Sequence, residues 1–208
     1  MASSTKDMRL IGGHPALDLV NTVDSRGDRW GPDFIQVFDD VLVLAERLEL
    51  VEPKVAGKLR RLLISSAADA EGLVKEVIAL REALHEVFLA EDAGGTYPKA
   101  AIEIVAGWAR RGRVRQVFKD DNGVFGWTLP FDSFEDVPAK FALEATALIT
   151  ERPHRRPVRE CKGDNCGWLF LDHSKSGRRL WCSDASCGTH NRVKRFRARH
   201  APDKPSRA

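Results

Sequence analysis

Phe34, Val37, Phe38, Val41, Leu42, Ala45 and Leu48 recur at steps of three and four, the spacing that gathers apolar side chains on one face of an α-helix. Pro53 marks the end of that helix and the start of a second, which carries Val55, Leu59, Leu62 and Leu63. A third is expected over 69–90, with Val74, Val77, Ile78, Leu84, Val87 and Phe88 on its buried face, and Gly94-Gly95 ends it. A fourth follows over 98–111. The period then shortens: 113–118 and 124–129 flank Asp121-Asn122-Gly123, and Asn-Gly between two such runs is a hairpin signal. Phe125, Trp127 and Leu129 alternate along the second run, so that face is expected to close over the helices. Asp136, with Pro138 two positions on, opens a last long helix through Phe141, Leu143, Ala145, Leu148 and Ile149. Upstream, 12–22 reads as a short helix with Leu17 and Val20 on one face and Asp18, Asn21 and Thr22 on another. Residues 1–8 read as a disordered leader, 24–32 as a loop and 201–208 as a mobile tail.

Helical periodicity stops at Pro153 and Pro157, which bracket His154, Arg155 and Arg156. This divides the chain into a domain over 9–150, a linker over 151–157, a second domain over 158–200 and the tail. Charge divides at the same place. The net +3 of the whole chain hides 15 Lys and Arg against 6 Asp and Glu from residue 151 onward, and 18 against 24 before it. The acidic part and the basic part call for different partners. With 208 residues, 43% of them hydrophobic, the chain can bury a sizeable core. It shows neither the apolar core of a signal peptide nor a stretch of about 18 apolar residues, so a cytoplasmic location without a membrane partner is expected.

In a reducing compartment four cysteines in two evenly spaced pairs favour a metal over cross-links. Cys161-x4-Cys166 and Cys182-x4-Cys187 contain every cysteine in the protein, and we expect them to hold one Zn²⁺ per chain. Four thiolates close a tetrahedral site against water and substrate, so the metal is structural. Between the pairs, Trp168, Phe170 and Leu171, then Ser176-Gly177 and Leu180-Trp181, read as a hairpin delivering Cys182 to the metal. Ser183 is placed to cap the next helix, with Asp184 in its first turn. At about 100° per residue, Thr189, Val193, Phe196 and His200 share one side of that helix, expected to pack on the finger. Arg192, Arg195 and Arg199 cluster on an adjacent face, with Lys194 and Arg197 further round, an arrangement suited to phosphate contacts. The expected fold class is α+β: a mainly helical N-terminal domain with one β-hairpin, followed by a small zinc-bound ββα, treble-clef-like domain.

The run Cys161-x4-Cys166-Gly-Trp-Leu-Phe-Leu-Asp172, then Arg179-Leu-Trp181-Cys182-Ser183, Cys187-Gly188 and Arg195-Phe-Arg-Ala-Arg199, resembles the CGNR-type zinc finger. Gly13-His-Pro-Ala-Leu-Asp18-Leu-Val-Asn21-Thr22 is similar to the start of the ABATE domain, which precedes that finger in bacterial proteins described as stress-induced transcription regulators. Together the two resemblances cover nearly the whole chain. The signature tetrapeptide departs from the family, reading Cys187-Gly188-Thr189-His190. Pairing the signature with Asn191-Arg192 instead needs an insertion that turns the helix by about 200° relative to the metal. The ungapped register, with Thr189 and His190 in place of Asn and Arg, is preferred. From that position His190 can still donate to a phosphate.

These readings converge on a DNA-binding transcription regulator contacting DNA through His190, Arg192, Lys194, Arg195, Arg197 and Arg199. The resemblance implies a regulatory N-terminal domain, so an unidentified small-molecule effector and a homodimer are its candidate partners. The alternative is a protein-interaction module whose zinc domain docks a protein. Asp18, Asn21 and Arg81, polar groups at the edges of apolar faces, are candidates for lining an effector pocket. Against this, Arg81 pairing with Asp18 or another carboxylate inside the core is the favoured reading, since a buried arginine needs a partner. No enzyme is expected. The chain holds no G-x-S-x-G, phosphate-binding loop or H-E-x-x-H, and Asp18 with His14 lacks a nucleophile.

Overall fold

The longest apolar-periodic run becomes the longest helix, and the rest of the N-terminal domain assembles around it. In the computed structural model, which describes residues 4–121 and 123–200, that helix is α4 (Ala67–Asp92). Before it come α1 (Pro15–Val20), α2 (Phe38–Arg47) and α3 (Pro53–Ser65), and after it α5 (Lys99–Arg115) and α6 (Asp136–Thr150). Prolines sit in the first turns of α1 and α3, where no backbone donor is lost. Asp40 caps α2 by accepting the free N–H groups of Gln36 and Val37 at 2.8 and 3.0 Å. Gly112 lets α5 approach α6 closely, since a Cβ there would stand 3.0 Å from Leu143. The short α1 is the keystone: Ala16 to Val20 are all buried, and it contacts α4, α6 and the finger.

Three sequence expectations change. Residues 4–8 of the expected leader form a turn whose Met8 is fully buried, and Arg47 holds it through the carbonyls of Thr5 and Met8. The remainder of that leader, Asn122 of the hairpin turn and the expected tail at 201–208 lie outside the described residues. The hairpin forms as β1 (Val117–Asp121) and β2 (Val124–Thr128), paired antiparallel with Phe118 opposite Trp127. It does not close over the helices. Every residue of β2 is exposed, and only Leu129, past its end, is buried. The rings cover one another instead, Phe118 lying 5.6 Å from Phe125 and 5.3 Å from Trp127 between centroids.

The third change concerns the finger. Its strands are β3 (Val158–Glu160) and β4 (Leu169–Leu171), so the first cysteine pair occupies the connection between paired strands. The expected partner of 168–171, the Leu180-Trp181 segment, contributes one bond from Lys162 N–H to the Leu180 carbonyl at 2.9 Å. The reason is burial. Leu169, Phe170 and Leu171 are buried without alternation because β4 lies between the finger and the helical core. Val158, Trp168, Leu169, Phe170 and Leu171 belong to the same apolar cluster as the helices.

The stretch over 151–157 is held to the helices as well. Arg155 forms a buried ion pair with Glu91 of α4, with nitrogen to oxygen distances of 2.7 and 2.9 Å. Glu91 also accepts from the N–H of Val158 at 3.4 Å. The 151–157 stretch is therefore tied to α4 by this ion pair.

Candidate metal centre and basic helix

Cys161 follows β3 directly, and a turn closed by Cys166 N–H to the Gly163 carbonyl at 3.1 Å brings Cys166 back beside it. Gly163 is required at this turn: a Cβ would stand 2.9 Å from the Cys187 sulfur and 3.2 Å from that of Cys161. A single π-helical turn (Asp184–Gly188) then carries Cys187 in. All four Sγ atoms lie within 4.8 Å of one another. The Cys166–Cys182 and Cys182–Cys187 separations are 3.8 and 3.7 Å. A regular tetrahedron with metal–sulfur bonds of about 2.3 Å has edges of about 3.8 Å, so the donor set fits one Zn²⁺. The sulfur of Cys161 also accepts backbone N–H groups from Gly163 and Cys182 at 3.4 and 3.2 Å, which favours its thiolate.

The N-terminal domain grips this knuckle through groups whose partners are too distant in sequence to be paired by periodicity. Asn165 donates to the carbonyl of Arg29 at 2.9 Å and accepts from its N–H at 2.7 Å, while Arg26 N–H reaches the Cys166 carbonyl at 3.0 Å. Trp168 donates its indole N–H to the Val23 carbonyl at 2.8 Å. Arg9 donates to Ser186 at 2.9 Å and lines a cleft of about 410 Å³ together with Asp24, Asn165, His190 and Asn191.

From Gly188 the chain continues into α7 (Thr189–Arg199), which has no buried residue. The apolar side expected to pack on the finger is open: Val193 is 43% and Phe196 62% exposed, and Phe196 stacks on His200 of its own helix at 4.2 Å. The finger is too small to present a second apolar face once β3 and β4 are committed to the helices. Of the six expected DNA contacts, Arg192 pairs with Asp184 at 2.7 and 3.2 Å, and Lys194 with Asp164 at 2.5 Å. These cations hold their carboxylates below the usual range. Arg195, Arg197 and Arg199 have no ion-pair partner among the described residues, and His190 faces the cleft. Asn191 donates back to the carbonyl of Cys187, in the preceding π-helical turn, at 3.1 Å.

The three effector candidates do not meet in a pocket. Arg81 spends its guanidinium on Asp33 at 2.7 and 2.8 Å, on Glu82 at 2.7 Å and on Thr22 at 3.3 Å. It thus pairs with another carboxylate, not Asp18. Asn21, fully buried, donates to the Leu169 carbonyl and accepts from the Leu169 N–H, both at 2.9 Å. Asp18 accepts from Gly12 N–H at 2.9 Å and borders a shallow open depression with His14 and Arg47. Burial pushes its carboxyl up to about 6, against the pull of backbone N–H groups from Gly12 and Ile11.

Comparison with known families finds a model described as "ABATE: Putative stress-induced transcription regulator" matching residues 13–152, and one described as "CGNR zinc finger" matching residues 157–200. No curated protein matches the chain.

Proposed function

Because the chain belongs to the ABATE family of transcription regulators and ends in a CGNR zinc finger, we propose that it binds DNA through α7, held out by the zinc centre, while its N-terminal domain governs assembly. The observation that carries this reading is α7 itself: a helix with no buried residue, anchored at one end to a four-thiolate site, with three arginines that have no ion-pair partner among the described residues. Such a helix offers phosphate contacts, which set affinity and orientation before any base is read. Val193 and Phe196 add apolar surface on the same helix. The reading makes the protein a non-enzymatic regulator acting in the cytoplasm, on the nucleoid. Among the described residues no helix is long and apolar enough to cross a membrane. We assign no effector to Asp18, Asn21 and Arg81, whose polar atoms are engaged inside the fold.

Titrating duplex DNA at several salt concentrations tests the proposal. Three phosphate contacts, from Arg195, Arg197 and Arg199, give a log–log slope of about −3, and recruitment of Arg192 and Lys194 steepens it toward about −4.5. Absent or salt-independent binding overturns the reading. The exposed Phe196 and Val193 favour one alternative, a zinc domain that docks a protein. That reading predicts a pulled-down partner that survives nuclease treatment and is lost in Phe196→Ser.

A further inference from the structure

The β1–β2 hairpin and the outer side of α5 are both left uncovered by the described residues. Trp127, Phe125, Phe118 and Val124 are 64%, 62%, 58% and 72% exposed, and on α5 Val114 is 86% exposed. Single exposed apolar residues are ordinary on a protein surface, but a contiguous cluster of aromatic rings on one ribbon is not. A two-stranded hairpin is also marginal on its own, and among the described residues no backbone hydrogen bond ties its outer edges to the rest of the protein. On α5, a groove of about 560 Å³ runs over Gly107 between Arg110, Arg111 and Val114. Nothing lies within 4 Å of where a Cβ on Gly107 would be, so the groove floor is open to an incoming ring.

We propose that the protein is a two-fold symmetric homodimer in which the aromatic face of each hairpin seats in the α5 groove of the other copy. Three observations favour a second copy as the occupant. First, knob and groove are neighbours in the chain, with Gln116 alone between α5 and β1. A two-fold axis can therefore satisfy both at once and close the assembly. Second, charge is complementary: Asp120 stands exposed beside the rings on the hairpin, and Arg110 on the groove rim has no ion-pair partner among the described residues. Third, the exposed parts of Phe118, Phe125, Trp127, Val114 and Ile104 amount to roughly 500 Å² of apolar side chain, the apolar share of an interface approaching the roughly 800 Å² per partner of a stable one.

Sedimentation equilibrium of the full-length, zinc-loaded protein without DNA tests this independently of DNA binding. The expected result is twice the chain mass at micromolar concentration. Trp127→Lys and Val114→Glu should each weaken the dimer by at least about 10-fold. Circular dichroism and zinc content should not change, since both side chains are exposed; Phe125→Ser serves as a second hairpin variant should Trp127→Lys misfold. Arg110→Glu and Asp120→Lys should each weaken self-association, and mixing them should restore a dimer of one copy each. A monomer at tens of micromolar, or a dimer indifferent to every hairpin and groove variant, overturns the proposal. So does a Trp127→Lys protein that loses DNA affinity at unchanged mass, which would assign the rings to nucleic acid.

Discussion

Asn21 satisfies both backbone groups of Leu169, taking the place of a neighbouring strand along the edge of β4. Truncation to alanine leaves a buried N–H and a buried carbonyl without partners, which should cost about 2–4 kcal/mol in urea denaturation. Asn21→Asp keeps the acceptor and loses the donor, so it should fall short of wild type as well. Asp18 makes a different prediction, because its folded carboxyl is raised to about 6 from an ordinary value of 3.8. Between those values the native state holds a proton that the unfolded chain has lost, so stability falls as pH rises from about 4 to about 6 and is flat above. Asp18→Asn lacks this titration while keeping an acceptor for Gly12. Its stability relative to wild type should therefore climb over that window by about 2–3 kcal/mol, and parallel pH–stability curves for the two proteins would refute the buried carboxylate. Both residues stood out in the sequence as polar positions beside apolar ones. Their purpose did not, since the partner of Asn21 lies 148 residues away and no local period encodes it.

At the scale of elements, α7 carries the DNA-binding argument and Asp164 restrains it. Asp164 ties down Lys194 from the knuckle between β3 and β4. Asp164→Asn should free one cation and remove one anion, strengthening DNA binding and steepening the salt slope by about 1. Arg195→Ala with Arg199→Ala should do the reverse, making the slope shallower by about 2 and weakening binding across unrelated sequences. A fluorescence anisotropy series over salt reads both. Helix periodicity made most of the N-terminal helices legible, to within a few residues at their ends, because each buries one stripe. The elements that misled were those whose partners are not local. Alternation along β2 marks two faces but not which, if either, meets the core, and β4 is apolar throughout because it is covered from both sides. The cysteine spacing made the metal site readable, whereas the clasp of Asn165 on 25–29 had no local signal.

For the whole molecule, the zinc site and the helical core share one apolar cluster, so they are expected to unfold as one cooperative structure rather than as a regulator with a detachable finger. The metal fixes the ends of the segments that contain β3 and β4, and these strands bury Val158, Leu169, Phe170 and Leu171 against the helices. Glu91–Arg155, Asn21–Leu169 and Trp168–Val23 add polar bonds across the same seam. A structural zinc site contributes on the order of 10 kcal/mol to the segment it organises, and here that segment supplies part of the core of its neighbour. Removing zinc with a chelator, or replacing Cys182 with serine, should therefore lower the stability of α1 and α4 as well as of the finger. Amide hydrogen exchange resolves the question element by element. In the zinc-loaded protein, slow amides in α4 and β4 should open with the same free energy; after chelation both should exchange faster. Protection retained in α1 and α4 while β4 exchanges freely would mean that the helical domain stands without the finger. The buried ring of Phe170 and the paired peptide of Leu169 argue against that outcome, because losing the finger would expose the apolar groups beneath it and break the hydrogen bonds of Asn21.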